Sequence, residues 1–190
     1  GVALLAFIIG DFLNSGSSIF RESKQTVAEI NGEKIKIADY QAAIDQLHNV
    51  YKIEFGRSDF NEKELSQIRT QVWDNMINEQ IIEAEAQKIG ITVSQEELKE
   101  RLIGNNIHPL IMQRAMFADQ KTGQFSKSAL IQFYNTVFGE NATQQDQEQM
   151  REAKSYWMFW ENTIKSSILQ EKYIALLAKS VGANNLEAKY

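Results

Sequence analysis

Residues 61–90 constrain the fold more than any other stretch of this sequence. They open on Asn61-Glu62-Lys63-Glu64, continue as an apolar series, and close on Lys88-Ile89-Gly90. Leu65, Ile68, Val72 and Met76, together with Trp73, Ile77, Ile81 and Ala84, recur at steps of three and four. That spacing is the helical period and places them on one broad face. The Asn61 side chain can accept a hydrogen bond from an orphan backbone N–H of the first turn. Glu64, at N3, can reach back to the cap and meets the positive end of the helix dipole. Gly90 supplies the left-handed residue that stops a helix, and Lys88 suits the last turn. About 28 helical residues at 1.5 Å each make a rod of roughly 42 Å. Alone, that rod leaves its apolar face in water, so other elements must cover it.

The other elements follow from local signals. In residues 26–37, Ala28 and Ile30 precede Asn31-Gly32, and Ile35 and Ile37 follow. Asn-Gly is the strongest two-residue hairpin signal because both positions tolerate positive φ. A lone hairpin is marginal in water, so this one must pack on a helix. Residues 38–55 form a helix with Tyr40, Ile44, Leu47 and Tyr51 on one face and Gly56 as its stop. Ser94-Gln95-Glu96-Glu97 is a capping box for a short helix that ends before Gly104. Residues 105–124 are the least regular and hold the only proline, in His108-Pro109, which biases His108 to extended geometry. Ser126 caps a helix carrying Leu130, Phe133, Tyr134 and Val137, which stops at Gly139.

Thr143 then caps the longest helix, with Asp146 at N3. Met150, Ala153, Trp157, Trp160 and Ile164 form a heptad-like seam, continued by Ile168, Ile174, Leu177 and Val181 up to Gly182. About 38 residues make roughly 57 Å. Only this helix and the one over 61–90 carry apolar faces long enough to cover each other, so the two are expected to pack side by side.

Composition removes several function classes. The net charge of −5 and pI near 5.2 argue against nucleic acid, whose binding needs a clustered basic surface. The absence of cysteine excludes disulfides and thiolate metal sites. The two histidines, His48 on a helix and His108 in the loop, lack partners at metal-binding offsets. His48 reads as a surface or flank residue and His108 as a structural loop residue. No phosphate-cradling glycine loop and no nucleophile elbow occurs, and the carboxylates gather in helix first turns as caps require. Catalytic, cofactor and metal residues are therefore not assigned.

Residues 1–13 contain ten apolar residues, two glycines and Asp11. Thirteen helical residues span about 20 Å, short of the roughly 30 Å hydrocarbon core. A buried helix and a signal-peptide remnant are the alternatives, but the charged start and cleavage site of a signal peptide are missing. We read this segment as the C-terminal part of a transmembrane anchor. Residues 14–25 follow as a linker, 26–182 as the folded domain, and 183–190 as the start of a further segment.

The string Val27-Ala28-Glu29-Ile30-Asn31-Gly32-Glu33-Lys34-Ile35 with Asp39-Tyr40 resembles the opening of SurA-like chaperone domains. The run from Ile77 through Asn78-Glu79-Gln80-Ile81-Ile82 to Gly90, with Ile91-Thr92-Val93-Ser94 and Glu97-Leu98, is similar to their central helix and the capped helix after it. His108-Pro109, Phe117-Ala118-Asp119 and Thr122-Gly123-Gln124-Phe125 look like the PpiD-type members of that group. The resemblance implies a mainly α fold, a SurA-like helical chaperone domain with one small β-hairpin and two long helices. It also implies a foldase anchored in the inner membrane with its body in the periplasm. Such a protein binds unfolded or newly translocated polypeptides and works near translocation or envelope-assembly machinery. Full-length members continue into parvulin-type peptidyl-prolyl isomerase domains; no parvulin catalytic motif can be matched here. The alternative reading is a non-enzymatic helical subunit that docks a larger membrane complex.

Two apolar clusters are candidates for client binding. Tyr156, Trp157, Phe159 and Trp160 fall within five positions, so one helix face cannot hold them all. Trp157 and Trp160 fit the seam, while Tyr156 and Phe159 point elsewhere. Met112, Met116, Phe117 and Phe125 form the second cluster, and methionine suits promiscuous apolar contacts. Core packing is the alternative for both. The client-binding candidates are thus Met112, Met116, Phe117, Phe125, Tyr156 and Phe159.

Overall fold

The computed structural model describes residues 26–30, 33–139 and 147–187. Strands β1 (Thr26–Ile30) and β2 (Glu33–Lys36) pair antiparallel. Helix α1 (Ile37–Phe55) follows β2 directly, then α2 (Glu62–Lys88) and α3 (Gln95–Ile103). The one-turn α4 (Pro109–Met112) and a 3₁₀ turn (Ala115–Phe117) lie in the irregular stretch. Helices α5 (Lys127–Phe138) and α6 (Gln147–Glu187) complete the chain. The fold is mainly α with one small hairpin and two long helices, as expected. The anchor and linker, the Asn31-Gly32 turn and the Thr143 cap with Asp146 lie outside the described residues. Among the described residues no helix is long and apolar enough to cross a membrane.

The caps form where local chemistry places them. Asn61 accepts from the Glu64 N–H and Glu64 from the Asn61 N–H, both at 3.0 Å. At the other end of α2, the Gly90 N–H reaches Gln87 O at 3.1 Å and the Ile91 N–H reaches Ala86 O at 2.9 Å. Gly90 has φ 72°, so this is the paired closure that a left-handed glycine allows. Ser94 and Ser126 accept from the N–H groups of Glu97 and Ala129. The long helix departs from expectation at Gly182: it continues to Glu187. A glycine costs a helix interior about 1 kcal/mol but keeps its N–H donor, so it stops a helix only where the chain turns left-handed.

Helix α6, about 62 Å long, packs on α1, α2, α3 and α5. The α1 contact was not anticipated. The Gln46 and Asn49 side-chain amides donate to the carbonyls of Ser155 and Glu152 at 3.0 and 2.7 Å, and Lys52 pairs with Glu152. One hydrophobic core joins Ile35 of β2, Ile44 and Leu47 of α1, and Ile68, Val72 and Trp73 of α2 to Ile164 and Ile168 of α6. The expected apolar face of α2 is buried at Ile68, Val72 and Trp73 and half-buried at Met76, Ile77 and Ala84. Ile81 is exposed.

Candidate functional site

The six client-binding candidates divide by burial. Phe117 and Tyr156 are 1% and 0% exposed and belong to the core instead of a surface. Met116, Phe125 and Phe159 are half-buried and packed against that core. Met112, at 45% exposed, faces solvent. The reason lies in α5 and the loop, which cover the sides of α6 that its main seam leaves open. Phe133 of α5 meets Phe117, Tyr156 and Trp157 at ring distances of 5.6, 6.2 and 6.2 Å. Tyr134 lies 5.2 Å from Trp157.

The Tyr156 hydroxyl donates to Glu54 Oε1 at 3.0 Å. Arg114 donates from Nη1 to both Glu54 oxygens, at 3.2 and 3.0 Å, and from Nε to the Leu110 carbonyl at 2.8 Å. Burial, then the Glu54 charge, push the Tyr156 phenol far above its ordinary range. The polar node pins the irregular stretch to α1 and α6. It is structural chemistry, with the Arg114 Nε and Nη1 donors and the Tyr156 hydroxyl bonded inside the protein.

A groove of about 540 Å³ opens instead between α2 and α6. On α6, Ile164 and Ile168 fill the core. Beside them Thr163, Ser166, Ser167 and Gln170 form a second stripe at helical spacing, lined up on the groove. Their side chains are too short or too polar to close the gap to α2. Across from them stand Asn75, Asn78, Glu79, Ile81 and Ile82, and Leu110 of α4 contributes from the irregular stretch. The volume falls within the usual range of ligand pockets. Lys165 pairs with Glu83 beside the groove at 3.2 Å.

The arrangement suits extended polypeptide. Ile81, Ile82 and Leu110 offer apolar contact. The side chains of Asn75, Asn78, Ser166 and Gln170 have no hydrogen-bond partner among the described residues. Amides and hydroxyls both donate and accept, which is what a peptide backbone requires whatever its sequence. Sequence reasoning missed this groove. Its signal was a short polar stripe running at helical spacing next to an aliphatic seam.

A second, smaller recess of about 320 Å³ is lined by Leu98, Leu102, Ile103, Tyr134 and Trp157. Phe138, 42% exposed, stands against Tyr134 and Trp157.

His108 is 5% exposed and closes the turn that sets Leu110. Its Nδ1 accepts from the Leu110 N–H at 3.2 Å, and Nε2 lies 3.2 Å from Ser167 Oγ and 3.4 Å from Glu171 Oε1. Burial first, and the Arg101 charge second, lower its pKa, with Glu171 opposing. Among the described residues no cluster of His, Asp or Glu is arranged to hold a metal.

Among the described residues, a hairpin leads into a helical bundle with a groove beside its two long helices. The chain belongs to the family of SurA-like N-terminal domains, whose profile matches residues 1–134. It is similar to foldase protein PrsA of Clostridium botulinum (strain Loch Maree / Type A3), 24% identical over 106 residues, 53% of this chain and 31% of that protein. It is also similar to foldase protein PrsA of Clostridium perfringens (strain ATCC 13124), 28% identical over 83 residues, 42% of this chain and 24% of that protein. The matched segment thus spans less than a third of those relatives. No solved structure matches. Family and relatives make this a domain of the foldase and chaperone group.

Proposed function

We propose that this chain is the chaperone region of an envelope foldase and that it holds extended segments of unfolded polypeptide in the groove between α2 and α6. The observation that carries the reading is the set of unpartnered groups, the amides of Asn75, Asn78 and Gln170 and the Ser166 hydroxyl, beside Ile81, Ile82 and Leu110. Such a lining grips main chain through hydrogen bonds and side chains through weak apolar contact, so many sequences fit. Met112, exposed two residues beyond Leu110, extends the apolar contact outside the groove. Resemblance to PpiD-type proteins supports a wider setting: a single inner-membrane anchor, a periplasmic body, parvulin-type isomerase domains elsewhere in the full protein, and work beside translocation or assembly machinery.

The test is suppression of client aggregation by the 190-residue chain at modest molar excess. Ser166→Trp, which fills the groove, and Ile81→Ser, which removes apolar contact, are expected to weaken suppression while Tm stays within a few degrees of the parent. Undiminished suppression by both variants would place the client elsewhere. A docking subunit is the second reading, favoured by Ile174 and Leu176, exposed on the late turns of α6. It is distinguished by a chain that suppresses no aggregation at all.

A further inference from the structure

The groove between α2 and α6 carries one negative charge that the fold leaves uncompensated. Glu79 and Glu83 stand one turn apart on α2. Lys165 of α6 pairs with Glu83. Glu79, which lines the groove, has no hydrogen-bonded or contact ion-pair partner among the described residues. Two carboxylates against one ammonium leave a net −1, and every other lining group is uncharged.

Folding alone gives no reason for that choice. A half-buried carboxylate pays desolvation unless a cation or donor faces it, and glutamine there would avoid the cost. Burial, then the Glu83 charge, hold the Glu79 carboxyl above the ordinary carboxylate range, with Lys165 offsetting part of the effect. The strained charge sits in a groove whose remaining surface suits extended peptide.

We propose that the groove selects extended client segments in which a lysine or arginine stands among apolar residues, and that Glu79 is the group that pairs with that cation. The proposal rests on the groove being the client site. The client's apolar side chains lie on Ile81, Ile82 and Leu110, its main chain bonds the amides of Asn78 and Gln170, and its cation reaches Glu79 out of bulk water. A charge-assisted bond formed there is stronger than a neutral one, and a client carboxylate at the same place meets the groove's net negative charge.

Three fluorescently labelled octapeptides, alike except for lysine, norleucine or glutamate at one central position, test this by anisotropy with the full chain. The lysine peptide is expected to bind about tenfold tighter than the norleucine peptide, and the glutamate peptide weakest. Glu79→Gln is expected to bring the lysine peptide down to the norleucine level, with a Tm no lower than the parent's. Equal affinity for the three peptides, or a lysine advantage that survives Glu79→Gln, overturns the role of Glu79 and leaves the groove standing as client site. Failure of all three to bind overturns the groove reading and the proposal together.

Discussion

The guanidinium of Arg114 lies over the ring of Trp160, 4.3 Å from its centroid. The same guanidinium bonds both oxygens of Glu54, whose carboxylate also accepts from Tyr156. One side chain from the irregular stretch therefore joins the end of α1 to the aromatic turn of α6. Arg114 and Glu54 side chains are 19% and 12% exposed, so the pair is largely withdrawn from water.

Removing Arg114 leaves that carboxylate buried without its cation. Arg114→Ala is expected to cost about 3 kcal/mol, a fall in Tm of roughly 6–12 °C for a chain of this size. Glu54→Gln in the same background is expected to recover part of the loss, because the uncompensated charge is gone. Urea unfolding of Arg114→Ala, Glu54→Gln and the double variant checks both statements. Additive losses would show that the pair contributes little.

Burial separates the six apolar candidates, and mutation should too. Phe117→Ala is expected to cost about 3–5 kcal/mol, as for other buried aromatic truncations. Met112→Ser should stay within about 0.5 kcal/mol of the parent, as at other exposed sites. Thermal melts of the two single variants decide it; a stable Phe117→Ala protein would contradict the core placement.

The contrast shows what the sequence could tell. Caps were legible because they are local: Asn61, Glu64, Gly90, Ser94 and Ser126 act on backbone groups within a few residues. The spans of α1, α2, α3 and α5 followed from the same signals, while α6 ran past its expected stop at Gly182. The fate of Phe117 and Tyr156 was not legible, since four aromatics in five positions are buried only if several elements surround the helix. That depended on where α5 and the loop pack. The α1–α6 contact was hidden because side-chain amides, Gln46 and Asn49, make it alongside the apolar core. The groove was hidden because Thr163, Ser166 and Ser167 look like an ordinary solvated face until α2 stands opposite.

Acid should loosen the His108 turn. In the fold Nδ1 is an acceptor, so the neutral ring carries its proton on Nε2, towards Ser167 and Glu171. Burial and Arg101 lower the folded-state pKa from the usual 6.5. The unfolded chain therefore binds a proton near pH 6.5 that the folded chain resists. The stability tied to neutral His108 is present above that pH and is lost as pH falls through it. Asn at this position keeps a capping acceptor without a titrating ring. His108→Asn is expected to flatten the change in urea midpoint between about pH 7.5 and 5.5 relative to the parent. Equal slopes would mean that Glu171 cancels the burial effect.

The turn at Gly123 gives a last test, because its strain can be separated from its packing. Asp119 Oδ1 accepts from the N–H groups of Lys121 and Thr122 and from the Thr122 hydroxyl. Gly123 sits at φ +68°, and a Cβ built there would meet nothing within 4 Å. Any cost of Gly123→Ala is therefore backbone strain, expected at about 1 kcal/mol. Gly123→Asn should cost less, since asparagine tolerates the left-handed region. The turn closes the Ala118–Phe125 bridge, and neither the turn nor the bridge lines the groove. Both variants are therefore expected to lower the melting temperature slightly and to suppress client aggregation as the parent does. A variant that keeps its melting temperature but loses suppression would move the client site from the α2–α6 groove to this loop, where Phe125 stands at the edge of the core.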